Sequence, residues 1–427
     1  MSAENRPLES STPAGLGGLP RGRLPLAAFV FSLVTFQGLT INLMPLVVNV
    51  LAETFHVELK KDLGWLQTTF LTGGIFSLFV SGYITDYVRA ARSGTFAVMT
   101  LAAGLLFLGC ATTYRHTVIA FGLMGVGNSW ILAAYSSVIS EFFPDVRPRM
   151  FMWAAAAFAF CAAAGSYGVG FLLVRLANWQ VIFVIMGAAF LIEWVLLFAL
   201  APKQLAVLGR RHRVSDLQAS TRADSGSPWQ SVVAYLYAGL FNRRALWVLG
   251  LLVVLDNLAS GNSVTWTALL FREEYGIDEQ QASMMLSAVA LGYFFGRLFI
   301  GTFISGRFSD LAVLGVCYTG AIGTYGLLLV APNYNIGVAL FFLSGALMSA
   351  QAPTMYSIIS AKFGPRAPIA IPLVDAIGIL GSFMGPTIVG ALADEAGGLR
   401  SVLWLIPASG AVFVSIVAAW WMLDRRA

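Results

Sequence analysis

Residues 245–271 read ALWVLGLLVVLDNLASGNSVTWTALLF. As a helix rising about 1.5 Å per residue, a run of this kind crosses the roughly 30 Å hydrocarbon core of a bilayer. It lacks the period-two alternation of a barrel strand. In hydrocarbon every backbone polar group must be paired within the segment, so the run reads as a transmembrane helix. Asp256 and Asn257 interrupt it near its centre. They are the first hint that this helix faces something other than lipid.

The rest of the chain repeats the pattern. Of its 427 residues, 58% are hydrophobic and 11% charged. A soluble domain has about 45–50% apolar and 25% charged residues, so a larger soluble core does not explain the excess. Apolar runs predict helices over 24–51, 64–86, 93–113, 117–142, 150–174 and 179–201. A second set follows over 245–271, 281–304, 309–331, 336–361, 367–392 and 401–423. The fold class is therefore an all-α membrane protein of twelve transmembrane helices. The expected domains are a disordered tail over 1–23, one six-helix bundle over 24–201, a linker over 202–244, a second bundle over 245–423 and a short tail over 424–427. The first apolar run is too long for a signal-peptide core and lacks a small-residue cleavage site.

Charge sets the expected orientation. With the N-terminus inside, the inner segments hold about three times as many Lys and Arg as the outer ones, which carry Lys60, Lys61, Arg115, Arg175, Arg272 and Arg400. Both termini and the linker, with its Arg210-Arg211-His212-Arg213 run, are thus expected in the cytoplasm. The expected location is the plasma membrane, the inner membrane of a bacterium. The formal charge of +5 reflects this bias and not a nucleic-acid footprint, since no basic patch with interleaved aromatics is present. Cys110, Cys161 and Cys317 lie in separate apolar runs and read as packing residues, not as a disulfide or metal set. His56, His116 and His212 fall in predicted loops. No His, Cys or paired-carboxylate constellation suits catalysis, and no cofactor or metal is expected.

The halves resemble each other. Gly165-Ser166-Tyr167 matches Gly381-Ser382-Phe383, and Gly82 matches Gly301, at offsets of about 216 to 219 residues. A duplicated six-helix unit with a site between the copies is the usual build of a secondary transporter.

Charged side chains in hydrocarbon cost roughly 2.5–3.5 kcal/mol on insertion scales and persist where they face protein or water. Asp256 is the candidate proton-coupling or substrate-binding carboxylate; its bland alternative is a structural hydrogen bond between helices. Asp375 and Arg297 lie at similar depths in helices 11 and 8 and are expected to pair, either as a static bridge or as a gate. Glu193 reads as snorkelling or paired with a neighbour. Uncharged polar residues gather in every third helix: Gln37 and Asn42 in helix 1, Asn128, Trp130 and Tyr135 in helix 4, Asn257, Asn262 and Trp266 in helix 7, Gln351 and Tyr356 in helix 10. Amides, hydroxyls and ring faces suit a hydroxylated solute. The same residue types also join helices to one another.

The stretch Gly82-Tyr-Ile-Thr-Asp86-Tyr-Val-Arg89-Ala-Ala-Arg92 resembles the Gly-x-x-x-Asp-Arg-x-Gly-Arg-Arg loop of the major facilitator superfamily. Gly82 and Asp86 are in place, while Tyr87 replaces the first basic residue and Arg89 the second glycine. The resemblance implies two pseudo-symmetric six-helix bundles and a cytoplasmic gate held in part by Asp86. Met348-Ser-Ala-Gln351-Ala-Pro353-Thr354-Met-Tyr-Ser357 is similar to Met-Ser-x-Gln-x-Pro-Thr-Ile-Phe-Ser of the fucose/galactose/glucose–proton symporters. Gly390-Ala-Leu-Ala-Asp394-Glu-Ala-Gly397 and Leu405-Ile-Pro407-Ala408 also resemble that family's C-terminal segments. The implied function is alternating-access transport of a small polar solute, sugar-like by preference, with protons as a partner. That family places carboxylates in helices 1 and 4. Here Asn42 is followed by Leu43, and helix 4 carries only Glu141 at its end. Coupling would then fall to Asp256 or Asp375, with facilitated diffusion as the simpler alternative. The competing readings are an exporter of amphipathic drugs or lipids, which 31 Phe leave open, and a non-transporting receptor. A monomer is the expected state.

Overall fold

The structure is a computed structural model and describes residues 23–41, 43–56, 63–176, 178–201, 205, 240–241, 243–277, 279–395 and 398–424. Most of the expected tail and linker, and Asn42, lie outside these residues. Helix α1 has two segments, Leu24–Ile41 and Leu43–Phe55. It is followed by α2 (Leu63–Val88), α3 (Ala90–Gly109), α4 (Tyr114–Phe142), α5 (Arg147–Arg175) and α6 (Trp179–Leu200). The second set is α7 (Arg244–Tyr275), α8 (Glu279–Phe299), α9 (Asp310–Leu329), α10 (Tyr334–Met348 and Gln351–Phe363), α11 (Ala367–Glu395) and α12 (Leu399–Leu403 and Leu405–Asp424). Among the described residues, eleven stretches have the length and hydropathy to cross a bilayer, and one of them, Tyr334–Ser382, runs from α10 into α11.

Local chemistry accounts for the helix ends. Asn178, Ser309 and Asn333 cap α6, α9 and α10 by accepting from the backbone N–H groups of Gln180, Ala312 and Ile336. Gly276 ends α7 in the left-handed region at φ 61°. Short 3-10 turns, Pro144–Val146 and Gly364–Arg366, precede α5 and α11, each with a proline at its start. Arg89, between α2 and α3, sits at φ 87°. This is the position where the loop motif it resembles has glycine, so the substitution leaves a side chain in a conformation that disfavours one.

The helix pairs repeat between halves. In the first, α1 packs on α5, α2 on α4 and α3 on α6; in the second, α7 packs on α11, α8 on α10 and α9 on α12. The matched glycines do matched work. A Cβ at Gly165 would lie 2.8 Å from the Leu39 carbonyl oxygen, and one at Gly381 would lie 2.1 Å from that of Val254. Each lets two backbones touch, the main packing resource where solvent supplies no hydrophobic drive.

The halves meet along α2–α11 and α5–α8, with further contacts from α4 and α10. Gly82 abuts Pro368 and Ile369, and its counterpart Gly301 abuts Met152 and Trp153. Near the face that carries both ends of the chain, one continuous apolar core runs from the first half into Met355, Ile359, Ile369 and Val374 of the second. At the opposite end of the second half a separate core gathers around Phe271, Met285, Phe341 and Leu403. The halves are therefore welded at the termini face.

Candidate functional site

The α5–α8 seam can be followed inward from the termini face. Arg149 Nε donates to the Ser305 carbonyl at 3.1 Å, and Trp153 Nε1 donates to Thr302 Oγ1 at 3.4 Å. Next, Arg297 Nη1 donates to the Ala155 carbonyl at 2.9 Å. The Phe160 and Phe294 rings follow, 5.6 Å apart. Here α8 ends in a π turn over Ile300–Ile304, which places Gly301 against α5. On the α4–α10 side, the hydroxyls of Ser140 and Ser360 lie 2.7 Å apart across the seam.

The expected charged residues cluster behind these contacts. Tyr356 donates its hydroxyl to Asp375 Oδ1 at 3.0 Å and packs its ring 5.8 Å from Phe151 of the other half. Tyr135 interacts electrostatically with both Asp375 and Arg297. Asp256 interacts with Gln351, Arg297 and Asp375. Tyr293 and Tyr318, which no feature of the sequence singled out, interact electrostatically with Asp256. The one signal for Tyr293 is its position one helical turn before Arg297, whose guanidinium carbon lies 5.3 Å from its ring centroid.

The structure corrects one expectation. Asp375 and Arg297 form no ion pair in this conformation. Arg297 instead donates to two backbone carbonyls, Ser349 at 3.2 Å and Ala155 at 2.9 Å, while Asp375 takes the Tyr356 hydroxyl. The cation is thus bonded to backbone carbonyls, with Asp256 acting on it electrostatically and no described carboxylate in ion-pair contact.

The uncharged candidates divide. Gln37 and Asn128 hold α1 to α4 by reciprocal side-chain to backbone bonds of 3.2 and 3.1 Å, with Asn128 also donating to Thr40 at 3.0 Å. Trp130 turns away from the seam: its Nε1 donates to Ser93 of α3 at 2.8 Å, and it packs on Phe96. Asn257 and Asn262 lie against Gly378 and Gly385 of α11. Asn262 donates to its own helix at Leu258. Trp266 joins the apolar core at the far end of the second half. Gln351 is 2% exposed, and its amide lies beside the Asp256 carboxylate as a hydrogen-bonding neighbour without meeting full hydrogen-bond geometry. Asp86 lies in the last turn of α2. Glu193 accepts from Ser32 of α1 at 2.8 Å. Among the described residues no His, Cys, Asp and Glu group could hold a metal.

The Major Facilitator Superfamily profile matches residues 28–259 and 257–427. The 3-(3-hydroxy-phenyl)propionate transporter of Escherichia coli is 21% identical over 403 residues, covering 93% of each chain. Monocarboxylate transporter 2 of Homo sapiens is 22% identical, covering 88% of this chain and 79% of its own. Two crystal structures of FucP superpose with TM-scores of 0.75 and 0.71 at 18% and 16% identity, over 93% of this chain and 99% of theirs. One is the E. coli fucose:proton symporter and the other is in the outward conformation. At that identity they support the fold alone. With the matched profile across nearly the whole length and the duplicated helix packing, this chain belongs to the major facilitator superfamily, as a membrane transporter of small solutes and not an enzyme.

Proposed function

We propose that this transporter carries a small organic anion, a carboxylate bearing a further polar group, by alternating access. One observation carries the reading. Arg297 lies at the seam between the halves and donates to neutral carbonyls; among the described residues no carboxylate forms an ion pair with it, and Asp256 acts on it only electrostatically. A guanidinium presents five donors in a fork that fits a carboxylate, and it forms stronger bonds to one than to a neutral carbonyl. The names of the two sequence relatives, a hydroxyphenylpropionate and a monocarboxylate transporter, agree with this chemistry. With the termini in the cytoplasm, as the distribution of Lys and Arg favours, the seam closed at the termini face is closed inward.

Asp256 and Asp375 are the candidates for proton coupling. A proton taken up beside the anion would make the movement electroneutral. The test is uptake into proteoliposomes of 3-(3-hydroxyphenyl)propionate, lactate, fucose and xylose, with and without an imposed pH gradient. Accumulation of a carboxylate that Arg297→Gln abolishes supports the reading. Accumulation of a sugar alone overturns it.

A neutral sugar-like solute is the second reading. The buried Gln351 amide beside Asp256, able to donate and accept, favours it. It loses ground because Trp130 and Asn262, expected to line a hydroxyl site, face other helices.

A further inference from the structure

Helix α10 is interrupted between Met348 and Gln351. The cause lies two residues further on. In a regular helix the N–H of residue 353 would bond the Ser349 carbonyl, and Pro353 has no N–H. A buried carbonyl left bare is costly, and another donor relieves the cost. Arg297 Nε supplies it at 3.2 Å. Helices α8 and α10 come close enough because residue 296 is glycine: a Cβ there would lie 2.2 Å from the Ala346 carbonyl oxygen and 2.5 Å from Ser349 Oγ. With Nε anchored on its own half, the guanidinium reaches across the seam and Nη1 holds Ala155 of α5 at 2.9 Å.

We propose that Pro353 is a positioning residue for Arg297: by freeing the Ser349 carbonyl it fixes the guanidinium so that Nη1 is contested between the Ala155 carbonyl and the transported anion. This rests on the anion reading above. A guanidinium binds an ionised carboxylate more strongly, and in a two-pronged geometry, than it binds a neutral carbonyl, so the anion displaces Ala155. Binding and release of α5 at the termini face then become one event, and the substrate unlocks the gate that must open next.

The test needs no ligand. In a background with Cys110, Cys161 and Cys317 replaced by serine, Ser140→Cys and Ser360→Cys put thiols where the hydroxyls lie 2.7 Å apart. Their rate of oxidative cross-linking reads closure of the termini face. Pro353→Ala restores an N–H that draws the Ser349 carbonyl back into the helix. It is expected to slow cross-linking by about ten-fold, and Arg297→Gln by a similar factor. The double variant should be no slower than Arg297→Gln alone. Arg297→Lys, which keeps Pro353, should also slow it, since a single nitrogen cannot occupy both the Nε and the Nη1 positions that reach the two carbonyls; this arm serves if Pro353→Ala does not fold. Cross-linking at the parent rate in Pro353→Ala or Arg297→Lys, or additive slowing in the double variant, overturns the proposal. Carboxylate uptake that survives Arg297→Gln would sink the anion reading instead, whatever the ligand-free rates show.

Discussion

Gly82→Ala should trap this transporter open at the termini face without unfolding it. A Cβ at residue 82 would lie 2.7 Å from both the Ile369 Cα and the Pro368 carbonyl oxygen, and 3.3 Å from the Ile369 carbonyl oxygen. These are backbone atoms of α11 in the other half, so no side-chain rotation relieves the overlap. Overpacking of this kind costs about 1–3 kcal/mol. The helix-propensity gain of alanine over glycine is up to about 1 kcal/mol, but it applies in every state and cancels between them. The clash exists only where α2 meets α11, so the whole penalty falls on the closed termini face. That shifts the conformational ratio by about 5- to 150-fold. The Ser140–Ser360 cysteine pair reports it as slower cross-linking, with uptake falling in parallel. Two controls separate this from general damage. Gly122→Ala meets nothing within 4 Å and should change neither quantity. Gly125→Ala puts its Cβ 2.0 Å from the Phe70 carbonyl oxygen inside the first half, so it should lower the melting temperature in either state. Gly82→Ala with parent cross-linking and uptake would refute the claim that this contact is the closed seam.

Other substitutions sort roles in the same way. Asn128→Leu removes the bonds to Gln37 and Thr40 and should cost about 1–3 kcal/mol of stability, read as a lower melting temperature in detergent. Trp130→Phe loses only the Ser93 bond, so its apparent substrate affinity in uptake assays should match the parent. Tyr356→Phe strips Asp375 of the hydrogen bond that the Tyr356 hydroxyl donates and should lower the maximal uptake rate more than the apparent affinity. Arg89→Gly relieves a side chain held at φ 87° and should raise the melting temperature by an amount equivalent to about 1 kcal/mol.

The twelve helices were legible because their signal is local: run length and the placement of charge decide each one. The duplication was legible at Gly165 and Gly381 because backbone contact between helices tolerates nothing larger. The site was legible only in part. Asp256, Asp375, Arg297, Tyr135 and Tyr356 do gather, since an ionisable group in hydrocarbon has few places to go. Their partners were not legible. An Arg–Asp pair was the natural expectation, but the donors went to the carbonyls of Ser349 and Ala155, and a backbone carbonyl has no letter in the sequence. Only Pro353 signals one of them, four residues ahead of itself. Trp130 and Asn262 failed for a related reason. Polarity says that a residue avoids lipid, but not whether it faces a substrate or another helix.

The distribution of contacts also explains why a few residues can govern the state of the whole molecule. Within each half, long helices share continuous packing and glycine-mediated backbone contact, so a half moves as a body. Between halves, the deepest contacts described along α5 and α8 are Arg297 with Ala155 and Phe160 with Phe294. A charge-assisted hydrogen bond contributes about 1.5–3 kcal/mol, the same order as the whole bias of a two-state equilibrium that function must reverse. Strengthening such a contact would therefore be as damaging as removing it. A carboxylate at residue 155 would give Arg297 a partner that no transported anion could displace. Ala155→Asp is thus expected to fold, to cross-link through the Ser140–Ser360 pair at least as fast as the parent, and to transport nothing. Normal uptake by that variant would show that Arg297 never has to leave α5 during the cycle.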